Sequence, residues 1–251
     1  MPLSLRARWS RDEPVHACWI TLPEPLSAEI LARQGWPGLV LDLQHGAIDE
    51  AAALRILQVM HGLGAIPLLR VPWLDPGAVM KALDLGAEAV ICPMIEGVEQ
   101  AETFVQACLY PPMGIRSWGP VRAGLDGAAA YADSANGLVV PIVQIETLGA
   151  LEQLDAILDL PGLGGVFVGP NDLAWALGHG PGSDREEPEL LDLLLDIPAR
   201  ARAAGVQAGI HCASADYAHR MVQAGYRLIT IGSDASFLGR AGRELLGSLE
   251  A

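Results

Sequence analysis

Lysine is almost missing from this chain: of its sixteen basic residues all but Lys81 are arginine. Lys81 falls in VMKALDLGAE, a helical pattern and not a strand end, so a mechanism through a lysine Schiff base is disfavoured. Cysteine is sparse too. The four residues Cys18, Cys92, Cys108 and Cys212 show no CxxC spacing, which speaks against a disulfide framework or a zinc knuckle and leaves buried thiols as the expectation. No apolar run approaches the roughly 18 to 20 residues of a membrane span, and MPLSLRARWSRDEP lacks the apolar centre of a signal peptide. A cytoplasmic protein with no membrane partner is expected. The net charge of −14 argues against nucleic acid, whose phosphates call for a basic face. No GxGxxG follows the first β-like run, which counts against a dinucleotide fold.

What is present is a rhythm. The 251 residues are 51% hydrophobic with 28 glycines, enough for one α/β barrel or two small domains. Short apolar runs alternate with 10 to 15 residues of helical pattern and a glycine. Strands are predicted near Val15 to Thr21, Gly38 to Gln44, Ala65 to Val71, Ala89 to Ile95, Val139 to Glu146, Gly165 to Gly169, Gln207 to His211 and Arg227 to Ile231. A helix over Asp49 to His61 has an acidic start and Gly62 or Gly64 at its end; Gly86, Gly205 and Gly225 punctuate later units. Eight β-α units predict a (β/α)8 TIM barrel in a single domain over residues 1–251, with an open doubly wound sheet as runner-up. Two stretches break the rhythm. Tyr110 to Asp126, carrying Arg116, Trp118 and Arg122, is expected to build or cover a site; Gly178 to Glu187 better suits a tolerated insertion.

Barrel chemistry sits where strands end, so polar residues there are the candidates. The run VVPIVQIET presents Gln144 and Glu146 two residues apart, hence on one side of a buried strand. A buried carboxylate calls for a cation or a hydrogen-bond network. The second strand ends with Asp42, Gln44 and His45, the third with Arg70, and the sixth runs into Asn171 and Asp172. Each has a plain structural explanation. Asn171 or Asp172 could cap the segment LAWALG, His45 could be a satisfied loop histidine, and Arg70 could pair with Asp42 or Glu146 in a structural network. The functional reading rests on their sharing one end of a barrel. Glu146 and Asp172 come from adjacent strands without nearby Cys or clustered His, and oxygen ligation of this kind selects a hard divalent ion. Mg²⁺ or Mn²⁺ comes first, with Co²⁺ or Zn²⁺ as alternatives. No third protein ligand is evident, which favours a chelating substrate such as a 2-oxo acid.

At Asp42 to Gly46, PLLRVP, YPPMGIRSWGP, QIET and VGPNDLAWALG the sequence resembles the metal-dependent (class II) pyruvate aldolases, the family of 4-hydroxy-2-oxoheptanedioate aldolase and 2-dehydro-3-deoxyglucarate aldolase. The likeness covers nearly the whole chain, and the motifs together are specific. It implies Glu146 and Asp172 as metal ligands, Arg70 at the pyruvate oxygen, Gln144 near the substrate, and Asp42 with His45 as an acid-base dyad. Asn171 and Asp172 would offer backbone N–H groups to the pyruvate carboxylate, with Trp19, Trp118 and His211 as further substrate contacts. It also implies a carbon-carbon lyase joining pyruvate to an aldehyde, and a homohexamer, a dimer of trimers, whose last helix, Ser233 to Leu249 here, is exchanged between subunits. The chain departs from the pattern at Gln44, where many members have Glu, at His211 and Cys212, where an apolar residue is expected, and at the bulky Trp118. Two other functions compete: a lyase cleaving a malyl- or citramalyl-type acyl-CoA ester on the same barrel, and a catalytically silent 2-oxo acid binder. The lack of a basic, adenine-sized recognition segment argues against the first, and the intact Asp42, His45, Arg70, Glu146 and Asp172 set against the second.

Overall fold

The structure, a computed structural model, describes residues 4–249. A short helix α1 (Leu5–Trp9) precedes β1 (Val15–Ile20), α2 (Pro25–Arg33), β2 (Gly38–Asp42), α3 (Glu50–His61), β3 (Ile66–Arg70), α4 (Pro76–Asp84) and β4 (Ala89–Cys92). Two helices, α5 (Val98–Cys108) and α6 (Ala128–Leu138), lead to β5 (Val140–Ile145), and α7 (Leu148–Glu152) with α8 (Leu154–Leu158) to β6 (Gly165–Val168). Then come α9 (Pro170–Ala176), α10 (Pro188–Ala203), β7 (Gln207–Cys212), α11 (Ala215–Ala224), β8 (Leu228–Ser233) and α12 (Asp234–Leu249). All strand pairs are parallel, and β8 returns to β1 through Val15 opposite Leu228 and His16 opposite Ile229. The sheet is a closed eight-stranded barrel in sequence order, the predicted (β/α)8 architecture, and the open sheet is excluded.

The strands are apolar on both sides because both sides are covered. Val40, Leu68, Ile91, Ile142 and Phe167 pack inside the barrel, where Leu5 and Trp9 of α1 close its lower end. Their neighbours Leu39, Leu69, Val90, Val143 and Val166 face outward against the helices. Burying each such aliphatic side chain contributes about 1.5 to 3 kcal/mol. Asp49 stands one residue outside α3 and caps it, accepting the Ala52 N–H at 2.7 Å. Gly86, Gly205 and Gly225 take the left-handed backbone at helix ends that their positions predicted, with φ of 99°, 74° and 113°. Among the described residues no helix is long and apolar enough to cross a membrane. The four cysteines are free and buried.

The two irregular stretches exchange the parts expected of them. Residues 110–126 join α5 to α6 and lie at the lower end of the barrel, away from the strands' C-terminal ends. Arg122 donates to the carbonyls of Leu57 and Leu85 at 2.9 and 2.6 Å, at the foot of α3 and α4. Arg116 is buried, paired with Asp84 at 2.8 Å, its guanidinium 4.4 Å from the Tyr110 ring centre. These arginines hold the loop down; a guanidinium has five donors, and helix-end carbonyls are acceptors in want of partners. Residues 178–187, by contrast, follow α9 at the upper end. Asp184 fastens this loop to the start of α11 by accepting the Ala213 N–H at 2.8 Å and the Ser214 hydroxyl at 2.6 Å.

Candidate active site

The C-terminal ends of the strands surround a cavity of about 640 Å³. Trp19, Asp42, His45, Arg70, Gln144, Asn171, Asp172 and His211 all line it. Its chemistry is best followed from Glu146, one residue beyond β5. The Glu146 side chain is buried; Oε2 accepts the Gln144 amide N–H, and Oε1 accepts the Met94 N–H at 2.7 Å. The first bond puts the two side chains on one face, as their spacing predicted. The second depends on Met94, which follows β4 with φ 55°, a left-handed conformation that turns its N–H toward the carboxylate. Gly169 sits against the same group: a Cβ there would collide with Glu146 Oε2 and lie 2.8 Å from Gln144 Nε2. Only glycine lets the chain pass so close to the carboxylate.

Burial raises the Glu146 pKa above the usual carboxylate value, and the negative charge of Asp172 adds to the rise; the Met94 and Gln144 hydrogen bonds and Arg70 oppose it. Two carboxylates that repel each other at the mouth of an apolar barrel favour a cation between them. Gln144 Oε1 is buried with no protein partner among the described residues, an unused neutral oxygen on the side chain that bonds Glu146. This all-oxygen donor set fits a hard divalent ion. The described residues hold no group of three His, Cys, Asp or Glu that would cage a metal unaided. Asp172 lies in the first turn of α9, which Gly169 precedes as cap, so neither Asn171 nor Asp172 caps the helix.

Arg70 pairs with Asp42, Nε to Oδ1 at 3.0 Å and Nη2 to Oδ2 at 2.7 Å. Asp42 and not Glu146 is its anionic partner. The guanidinium also stacks 4.3 Å from the Trp19 ring centre. Nη1 has no protein partner among the described residues and remains for a ligand. The Asp42 carboxylate additionally accepts the N–H groups of Gln44 and His45 at 3.1 and 3.3 Å. It therefore shapes the turn that carries His45 and makes no hydrogen bond to the imidazole; the His45 side chain is exposed at the rim.

On the opposite wall Trp19 Nε1 donates toward Thr230 Oγ1 at 3.1 Å and His211 Nδ1 at 3.2 Å. Burial, and then the nearby Arg70 charge, lower the His211 pKa and keep its ring neutral. Trp118 does not reach this cavity within the chain. It is half exposed on the lower loop, its ring centre 5.2 Å from that of Tyr110.

The sequence profile of the HpcH/HpaI aldolase/citrate lyase family matches residues 16–241. The chain is 38% identical over 247 residues to a hydroxypyruvate/pyruvate aldolase of Rhizorhabdus wittichii, covering 98% of each. The chain belongs to the HpcH/HpaI aldolase/citrate lyase family. A 4-hydroxy-2-oxo-heptane-1,7-dioate aldolase of Klebsiella pneumoniae is 34% identical over 235 residues, covering 92% of this chain and 88% of its own. Among solved structures, an HpcH/HpaI aldolase/citrate lyase family protein of Burkholderia cenocepacia superposes with a TM-score of 0.88 at 34% identity, covering 96% of each chain.

Several residues of this family member's cavity escaped the sequence reading. Thr21, Phe167, Pro181, Gly232, Ser233 and Ser236 also line the wall. Asp234, buried behind them, accepts the Thr21 N–H and hydroxyl at 2.9 and 2.8 Å, the Leu22 N–H at 3.2 Å and the Ser27 hydroxyl at 2.9 Å. The order Ser-Asp at the end of the eighth strand, just before a helical pattern, was a legible sign of a helix start carrying polar groups. Met94 gave none, since its part is played by backbone alone.

Proposed function

We propose that this chain is a metal-dependent aldolase that joins the enolate of pyruvate to an aldehyde and, in reverse, cleaves 4-hydroxy-2-oxo acids. The observation that carries the reading is the gathering of Asp172, Arg70 and Gln144 about one cavity that no lysine lines, with the Glu146 carboxylate buried behind Gln144 and bonded to it. Lys81, in α4, does not line this cavity, so the electron sink is something other than an imine. Glu146 and Asp172 would hold a divalent ion, Mg²⁺ or Mn²⁺ before Co²⁺ or Zn²⁺. When bound, it supplies Lewis-acid polarisation of the pyruvate keto oxygen.

The remaining work falls to the chain's own groups. Arg70, steadied by Asp42 and Trp19, turns Nη1 toward the keto oxygen and favours the negative charge that develops there. The N–H groups of Asn171 and Asp172 in the first turn of α9 receive the pyruvate carboxylate. Gln144 orients Glu146. His45, positioned through the Asp42-bound turn, takes a proton from the methyl carbon, and the C–H electrons become the enolate. The enolate carbon attacks the aldehyde, a C–C bond forms, and the proton ends on the new hydroxyl. An imidazole has one ring nitrogen that accepts a proton and can return it, which suits it to both transfers.

Relatives named as aldolases at 31 to 38% identity support this reading over thioester cleavage; a citrate lyase beta subunit of Mycobacterium tuberculosis is similar in fold alone, at 14% identity and a TM-score of 0.59. A hexamer with exchanged last helices belongs to the same proposal. It is supported by α12, whose Leu238, Leu245, Leu246 and Leu249 are exposed. The deciding experiment is deuterium exchange into the pyruvate methyl group, with Mg²⁺ or with chelator, followed by addition of an aldehyde. Metal-dependent exchange that Arg70→Ala suppresses by about 10² to 10³ is expected, the usual cost of losing one preorganised donor. Exchange indifferent to both metal and Arg70 would overturn the mechanism.

A further inference from the structure

We infer that His211 is a fixed hydrogen-bond donor that selects neutral, hydroxylated aldehydes as the acceptor substrate. The inference rests on the aldolase reading and adds the substrate class to it. Its geometry starts from Trp19, whose indole nitrogen can only donate. That N–H faces both Thr230 Oγ1 and His211 Nδ1, at 3.1 and 3.2 Å, while Thr230 Oγ1 and Nδ1 are 3.0 Å apart. A hydrogen on Nδ1 would meet the indole hydrogen head on. Nδ1 is therefore the accepting nitrogen, and the ring proton resides on Nε2. The wholly buried Thr230 completes the arrangement by receiving the indole N–H and turning its own hydroxyl to Nδ1. Ring orientation and tautomer are both held by groups behind the wall.

Nε2–H has no protein partner among the described residues, and the ring lines the cavity. Its place decides what it meets. Glu146 follows β5, Asp172 lies at the start of α9 and Arg70 ends β3, where the proposed reaction puts pyruvate. His211 comes from β7, next to Ser233 and Ser236 of the β8–α12 junction, on the wall left for the second substrate. No cation lines that wall, and the charge nearest His211 on its own side is the Asp184 carboxylate. Arg70 is the cavity's one arginine, no lysine lines it, and Asp42 already neutralises Arg70. An aldehyde with a distal carboxylate would find no cation there, and a plain alkyl aldehyde would leave the Nε2–H desolvated without a partner, the costly outcome for a buried donor. A hydroxyl beside the aldehyde carbon accepts from Nε2–H and costs no charge burial.

The test compares kcat/KM for glyceraldehyde, propionaldehyde and succinic semialdehyde, each with pyruvate and Mg²⁺, in wild type, His211→Phe, His211→Gln and Thr230→Val. Ratios within one enzyme are read, so a partly folded variant does not mimic the effect. Wild type is expected to prefer glyceraldehyde to propionaldehyde by about five- to tenfold, the worth of one neutral hydrogen bond. His211→Phe should erase the preference, His211→Gln, which keeps an N–H near the same point, should retain most of it, and Thr230→Val, which frees the ring, should reduce it. An unchanged ratio in His211→Phe, or a wild-type preference for succinic semialdehyde, overturns the inference. Pyruvate methyl exchange in wild type is measured alongside: its absence sinks the aldolase reading and the inference with it, whereas exchange with an unchanged ratio sinks the inference alone.

Discussion

Replacing Glu146 by Gln should make the metal-free protein more stable while removing its response to metal. The buried carboxylate now accepts two N–H bonds, from Met94 and Gln144, yet its pKa is raised by burial and by Asp172. An amide keeps the acceptor for Met94. Its NH2 group then faces Gln144, which turns its own amide over and brings the partnerless Oε1 into a hydrogen bond. The change removes a buried charge, its repulsion with Asp172 and an unsatisfied oxygen together. Relief of a buried, imperfectly compensated polar group is worth about 1 to 3 kcal/mol. For a chain of this size that is a rise of roughly 3 to 10 °C in Tm. The sign with pH follows from linkage. A folded-state pKa raised above the unfolded one gives stability that is present below the ordinary carboxylate pKa and lost as pH rises through the raised value. The variant and wild type should therefore converge in acid and separate toward neutrality. Thermal unfolding across that range, after chelator treatment, checks this, and adding Mg²⁺ should stabilise wild type alone, by about 2.7 kcal/mol at a hundredfold excess over Kd, which offsets most or all of the variant's lead. A metal-free variant no more stable than wild type at neutral pH would refute the electrostatic reasoning, and equal stabilisation of both by Mg²⁺ would remove Glu146 as a ligand.

Two further outcomes are expected. His45→Ala should slow pyruvate methyl exchange by about 10² or more, the contribution of a positioned base, while Mg²⁺ still raises its Tm; exchange at the wild-type rate would take His45 out of the proton path. If the proposed hexamer is joined through α12, changing Leu245 and Leu249 to Glu should give smaller species in sedimentation analysis without unfolding the barrel, since both side chains are exposed within the chain; an unaltered sedimentation coefficient would show that α12 is not its seam.

The barrel was legible because its signals are local and repeated. Apolar runs such as GLVLD and VPIVQI are buried at every residue, and glycines with positive φ punctuate the helices. The strand-end residues followed from that register, and Asp42, His45, Arg70, Gln144, Asn171, Asp172 and His211 do meet in one cavity. The loops were misassigned for a physical reason. Length and arginine content do not reveal whether a segment follows a strand or a helix, and Tyr110 to Asp126 follows α5. Within the chain its arginines satisfy carbonyls and Asp84 and do not line the cavity. The short loop near Pro181 looked dispensable, yet it borders the cavity. Nor does residue type alone tell which carboxylate a guanidinium will choose: Asp42 sits directly opposite Arg70 in the β2–β3 register, a fact of pairing and not of composition.

Asp234 gives the molecule a coupling that no single strand end provides. Its carboxylate joins the turn after β1, through Thr21, Leu22 and Ser27, to the root of α12, where Ala235 N–H also binds it at 2.9 Å. The helix that projects from the barrel thus springs from the same knot that sets the positions of Thr21, Ser233 and Ser236 around the cavity. Any force that steadies the outer helix also stiffens the acceptor rim, and any substrate that orders the rim holds the helix at a fixed angle. In the proposed hexamer, quaternary contact and substrate fit would share one mechanical anchor, so selection on either would be selection on both.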